Sequence, residues 1–215
     1  MTAKITGLSP SFTGGPIEIS STVKKADPDT NTQTEYTVLE IADFVLSGKD
    51  AITAVTFSNT KDITVGACAF YNDQGIVTVT FNNSGTVTLN GGYEFQSNTN
   101  LKNVFVTGSG NVVFNGKNWG ESYAFYQCSS LESFKATGTG TVIFNGGYYF
   151  YGVGFIKFDI TLRNYKYKNV STVFNGISSF DSIKTYPNIV TAHLICHKTA
   201  IFHCHNAPES YDRMY

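Results

Sequence analysis

The sequence predicts an all-β solenoid of about six coils, preceded by an N-terminal arm and a short cap of helix or strand and closed by a C-terminal cap. Three observations carry this. Between Ala51 and Pro187 a large apolar residue, followed by apolar or β-branched residues at +3 and +5, recurs six times, starting at Ile52, Ile76, Leu101, Leu131, Phe155 and Phe180. Successive starts lie 24 to 30 residues apart, and a period of that size marks a chain whose units bury their apolar faces only by stacking on one another. Four coils carry a second alternation at +11 and +13, as Ile63/Val65, Val87/Leu89, Val112/Phe114 and Val142/Phe144, the period of a strand with one buried face. Each coil then ends on an aromatic, Phe70, Phe95, Phe125, Phe150 and Phe174. These five are expected to stack into an interior spine.

The elements follow in chain order. Residues 1–36 read as an extended arm and linker: Gly14-Gly15-Pro16 turns into Ile17-Glu18-Ile19, and Lys24 to Thr34 is a polar, proline-interrupted stretch. The arm's apolar residues, Ile5, Leu8, Phe12, Ile17 and Ile19, are too sparse for a core of their own. They suit grooves or a sheet edge on a neighbouring chain, with Gly14 and Gly15 allowing close approach. The alternative is an arm folded back on its own repeats. Residues 37–50 form the N-terminal cap, with Val38, Ile41, Ala42 and Val45 at helical spacing before Ser47-Gly48, and a strand over the same run equally compatible. The solenoid occupies 51–190. Its Asn90-Gly91, Asn115-Gly116 and Asn145-Gly146 pairs read as tight turns with positive φ. Residues 191–215 form the C-terminal cap or tail.

At one coil junction the residues resemble a known family. Ala124-Phe125-Tyr126-Gln127-Cys128-Ser129-Ser130-Leu131 is similar to the A-F-x-x-C-x-x-L junction of BspA-like leucine-rich repeats, and Ala69-Phe70 is a fainter copy. The resemblance covers residues 51 to 190. The chain departs from the family in lacking the proline usual after the first strand and in having Asn-Gly where Ile-Gly is usual. The resemblance implies a leucine-rich-repeat-type β-solenoid, and a role in adhesion or protein binding, since such repeats occur mostly in surface proteins of bacteria and some protists.

Composition narrows the function class. Charged residues make up 14% of the chain against a usual ~25%, and the net charge of −1 with a pI near 6.4 supplies no electrostatic pull toward nucleic acid or an anionic membrane. No stretch approaches the ~18 apolar residues of a membrane span, and Met1 to Leu8 contains no apolar signal core. Either the mature form of an exported protein or a protein made and used without export is expected. Four cysteines, Cys68, Cys128, Cys196 and Cys204, make no disulfide framework. Cys68 and Cys128 read as small buried hydrophobes at coil junctions.

Reactive chemistry is sparse. The first histidine is His193, and the acids of the repeats occupy different columns, so no carboxylate pair is placed for acid–base work. Gly108-x-Gly110 and Gly138-x-Gly140 lack the third glycine and helix of a phosphate loop. One cluster stands apart near the C-terminus. Cys196 and His197 with Cys204 and His203, or His205 in its place, have the chemistry of a tetrahedral zinc site, although their spacing matches no established finger. The plainer expectation is a terminal strand or hairpin, with zinc absent and no other cofactor.

Outward positions of the first strand carry mostly Thr, Ser and Lys. The exceptions Phe105, Val113 and Ile143, together with Lys135 and Lys157, are the candidate binding surface. Tyr93, Tyr123, Tyr126, Tyr148, Tyr149 and Tyr151 crowd the turns, where tyrosine offers area plus a hydroxyl to a sugar or a protein, or covers the seams between coils. The sequence thus describes a non-enzymatic structural and binding protein. Its first reading is a bacteriophage virion surface or fibre component, made in the host cytoplasm, anchored by its arm and working as a homo-oligomer or within a larger particle. The alternatives are a secreted or surface-bound bacterial adhesin holding a cell-surface protein or glycan, and a metal-dependent protein using the C-terminal cluster.

Overall fold

The computed structural model describes residues 1–116, 122–160, 165–167 and 179–181. They form fifteen strands: β1 (Thr2–Ile5), β2 (Gly15–Ile19), β3 (Thr22–Ala26), β4 (Gln33–Ile41), β5 (Ile52–Phe57), β6 (Ile63–Val65), β7 (Thr78–Phe81), β8 (Val87–Leu89), β9 (Asn103–Val106), β10 (Val112–Phe114), β11 (Ser133–Ala136), β12 (Val142–Phe144), β13 (Phe155–Ile160), β14 (Tyr165–Tyr167) and β15 (Ser179–Asp181). One sheet runs β2-β5-β7-β9-β11-β13-β15 and the other β1-β4-β6-β8-β10-β12-β14, with β3 pairing β4 beside it. All pairings are parallel except the β3–β4 hairpin. Each coil gives one strand to each sheet, which is the expected leucine-rich-repeat-type solenoid.

Parallel in-register stacking places equal positions on top of one another. Val55 pairs with Val79, Val79 with Val104 and Val104 with Phe134, and all four are buried. Alternation sends their neighbours outward. At the last pairing the register departs from the sequence alignment by one, since Phe180 pairs with Ile156 and not with Phe155.

The spine forms as expected. Phe70, Phe95, Phe125 and Phe150 stack with centroids 5.0, 5.6 and 5.5 Å apart and planes within 8° of parallel, the offset arrangement that aromatic quadrupoles favour. Phe57 on Phe81 (4.9 Å) and Phe114 on Phe144 (4.8 Å) make shorter stacks within each sheet. Phe174 lies outside the described residues.

Glycine at the corners answers to space. A Cβ on Gly110 would sit 2.1 Å from the Gly85 carbonyl oxygen, and one on Gly91 2.1 Å from Ala67 Cα. The Asn-Gly pairs therefore correct the turn expectation: positive φ falls at Gly92, not Gly91. Their asparagines instead form a ladder, in which Asn115 Nδ2 donates to Asn90 Oδ1 (3.1 Å) and Asn145 Nδ2 to Asn115 Oδ1 (2.8 Å).

The N-terminal segment is the main correction. Residues 1–36 are not an arm extended toward another chain. Strand β2 pairs with β5, matching Ile17 to Val55 and Ile19 to Phe57, while β1 pairs with β4. Ile19 is buried, and Ile5, Leu8, Phe12 and Ile17 pack against the chain's own core. Gly14, at φ 134°, lets Gly15 N–H donate to Ala51 O at 2.8 Å, so the close approach is to the chain itself. The solenoid begins a coil earlier than the repeat pattern indicated. The polar stretch from Lys24 to Thr34 is no span between anchor and body; it belongs to the β3–β4 hairpin, inserted at the corner of the first coil. In the 37–50 cap the strand alternative is realised as the end of β4, followed by turns.

Candidate binding surfaces

The outward columns of the β2–β15 sheet run Thr56, Thr80, Phe105, Lys135 and Ala54, Thr78, Asn103, Ser133, Lys157, and Lys135 is in register with Asp159 on β13. Phe105 is half-buried beside exposed Lys135. Val113 and Ile143 are register partners on the other sheet, between Thr88 and Lys166. The two sheets share one core, so their outward sides face away from each other. The structure thus brings Phe105, Lys135 and Lys157 to one face and leaves Val113 and Ile143 on another. The zinc candidates Cys196, His197, His203, Cys204 and His205 lie outside the described residues.

A third face is made by the turns between coils. Each turn has two left-handed residues four apart: Phe44 and Gly48, Cys68 and Asn72, Tyr93 and Ser97, Tyr123 and Gln127, Tyr148 and Gly152, with φ from 53° to 79°. Between them the backbone bonds from coil to coil, as Phe70 N–H to Glu94 O (2.8 Å), Phe95 N–H to Ala124 O (2.9 Å) and Phe125 N–H to Tyr149 O (2.8 Å). The first left-handed residue turns its side chain outward beside an inward-facing spine residue. Tyr93, Tyr123 and Tyr148 consequently stack, with centroids 5.0 and 5.4 Å apart. Tyr126 and Tyr151 form a parallel column at 5.5 Å. The signal was present in the sequence as Tyr-x-Phe at 93–95, 123–125 and 148–150.

Two junction residues differ from expectation. Cys68 is half-exposed in a left-handed turn position and is not a buried hydrophobe. Tyr149 is not part of the outer tyrosine group: it is fully buried, its hydroxyl donates to Phe114 O at 2.9 Å, and burial pushes its phenol up to about 12. Cys128 is buried as expected, its thiol donating to Phe95 O at 3.1 Å, and burial raises it to about 12. That thiol is inert.

Three buried polar groups hold the turns. Glu94 Oε1 accepts from Gly91 N–H and Gly92 N–H, both at 2.8 Å. Asp73 Oδ1 accepts from Lys49 N–H, and Asp73 N–H donates to Asn98 Oδ1 at 2.7 Å. Removal from water raises the Asp73 carboxyl to about 7, with the Asp50 charge adding to the rise and the Lys49 N–H opposing it.

No helix among the described residues is long and apolar enough to cross a membrane. The family described as BspA type leucine rich repeat region matches residues 19–117 and 121–207, in six copies. No curated protein and no solved structure matches. With most of its length matched, with parallel coils and with a Phe–Cys junction packed into their core, the chain belongs to the BspA-type leucine-rich repeat family.

Proposed function

We propose that this protein is a non-enzymatic, adhesin-like binding protein of a cell surface or its surroundings, which holds a protein partner on the outward face of the β2–β15 sheet. The observation that carries this reading is the placing of Phe105 beside Lys135 on a face whose other outward residues are Thr, Ser and Asn with Ala54 and Lys157. An aromatic at the surface is a residue type enriched at interface centres, and Lys135 and Lys157 suit the polar rim around it. The virion reading drew its main support from an N-terminal arm held by another chain, beside the missing signal core and the low cysteine content. With Ile5, Leu8, Phe12 and Ile17 packed on the chain's own core, assembly through that arm has lost its carrier.

The test is binding of the labelled chain to cultured animal cells, read by flow cytometry. Binding is expected to disappear after trypsin treatment of the cells, and to fall roughly tenfold or more for Phe105→Asp. Binding that survives both overturns the proposal.

A further inference from the structure

We propose that the tyrosine strip on the turns is a second, separate binding site, for an extended and electrically neutral polysaccharide with one hexose to a coil. The argument begins with backbone strain. Tyr93, Tyr123 and Tyr148 stand at φ 63°, 56° and 62°, a region that disfavours any residue with a Cβ. The fold itself accepts glycine in such positions, as Gly48 and Gly152 show in the neighbouring column. Strained residues that persist in coil after coil point to a use for the side chain.

That side chain is presented to solvent. The exposed aromatic residues of the described chain are Phe44 at 60%, Tyr93 at 38% and Tyr151 at 43%; the two tyrosines lie on this strip, and Phe44 holds the same turn position two coils before Tyr93. Tyr123 and Tyr126 meet edge to face at 5.3 Å, and Tyr148 and Tyr151 at 6.5 Å, so the two columns form one aromatic grid. Rings offset by a coil height leave outer edges and phenol groups at the surface.

Charge and size select the occupant. Within residues 67–72, 91–97, 122–127 and 146–152 the one carboxylate is Glu94, which is buried and turned to Gly91 and Gly92. The strip therefore presents phenols with Asn72, Gln96, Ser97 and Gln127, a neutral set of hydrogen-bonding groups with nothing to attract an ionic polymer. Its phenol ladder, Tyr93 to Tyr148, is one turn wide and three coils long, about 14 Å at the ~4.8 Å spacing of paired strands. A strip one turn wide and of that length is too narrow to supply the roughly 800 Å² per side of a stable protein interface, which disfavours a second copy of the chain. An extended glycan advances by about one coil height per hexose, so successive sugars would meet the phenols of Tyr93, Tyr123 and Tyr148 in turn, with Gln96 and Gln127 beside the first two. The site lies on a different face from Phe105 and does not depend on the protein-binding reading.

The experiment is calorimetric titration of the full chain with neutral β-1,4-linked gluco- and manno-oligosaccharides of increasing length, at low and high salt. Affinity is expected to rise with length until the strip is spanned, and to be insensitive to salt. The triple variant Tyr93→Phe/Tyr123→Phe/Tyr148→Phe keeps the ring ladder and removes only phenol oxygens. It should lose affinity roughly tenfold or more at an unchanged melting temperature, whereas Phe105→Asp should bind the sugars normally. Absence of binding to these oligosaccharides, salt-dependent binding of charged glycans in their place, selective binding of an uncharged extended peptide, or equal affinity in the triple variant would each overturn the proposal.

Discussion

Asp73 and Asn98 occupy the same interior position in successive coils, and the backbone N–H of the first donates to the side-chain oxygen of the second at 2.7 Å. Both sit three residues before a buried strand anchor, Ile76 or Leu101, and Cys128 stands in the same relation to Leu131. In each case the anchor's N–H closes a turn on the carbonyl of that residue, at 3.2, 3.0 and 3.0 Å. One junction thus accepts acid, amide or thiol. Of the three, the acid alone bears an ionisation cost near neutral pH, because burial takes its carboxylate out of water; among the described residues Asp73 Oδ2, like Asn98 Nδ2, has no hydrogen-bond partner.

Stability should consequently fall as pH rises from about 4 to about 7. The folded-state value of Asp73 lies near 7 against an ordinary 3.8, so the folded chain binds the proton more tightly than the unfolded chain. This contribution is fully present below the unfolded value, lost through that window, and flat above it. Asp73→Asn, copying the next coil, should flatten this part of the profile and stabilise the protein at pH 8 by a few kcal/mol, with little effect at pH 4. Denaturant titrations of both proteins across pH check this, and parallel profiles would refute it.

Emptying the spine should be costly. Phe125 lies 5.6 Å from Phe95, 5.5 Å from Phe150 and 5.6 Å from Phe114, so Phe125→Ala leaves a cavity bounded by rings of three coils. A loss of ~3–5 kcal/mol is expected, and Phe150→Ala should behave alike. Chemical denaturation measures both, and losses below about 1 kcal/mol would remove the spine from the core.

At the corners, added volume is the disruptive change. Gly110→Ala sets a methyl 2.1 Å from the Gly85 carbonyl oxygen, whereas a methyl at Gly7 meets nothing within 4 Å. The first should destabilise by ~1–3 kcal/mol or more, and Gly7→Ala should be close to neutral. Melting temperatures of the pair separate crowding from a general effect of replacing glycine.

Removal of residues 1–19 should open the end of the solenoid. Strand β2 covers the edge of β5, whose Ile52, Val55 and Phe57 are fully buried, and a repeat array without its terminal cap loses solubility. The truncated chain is expected to melt earlier and to bind an apolar dye. An unchanged melting temperature would return these residues to the role of a dispensable arm.

Zinc at Cys196, His197, Cys204 and His203 or His205 remains a separate proposal, checked by elemental analysis of protein never exposed to chelator. A metal site would show about one zinc per chain and a melting temperature lowered by chelation. Stoichiometry near zero is the expected result.

Much of this architecture was legible in the residues themselves. Val55, Val79, Val104 and Phe134 declared their inward parity through alternation, and equal spacing ensured that like would stack on like, which places the phenylalanine spine without any knowledge of coordinates. The first coil was hidden because the β3–β4 hairpin lengthens its corner and breaks the period, so that Ile17 pairs with Val55 from well beyond one repeat. The turns were hidden for another reason. Tyr148, Tyr149 and Phe150 are consecutive, yet the first is half-exposed and the next two are fully buried. Alternation would have sent Tyr149 to solvent. The left-handed φ at Tyr148 breaks the alternation at that residue, in a turn whose carbonyls accept from the preceding coil, as Gly147 O from Ser122 N–H and Tyr149 O from Phe125 N–H, and a linear sequence does not display those contacts.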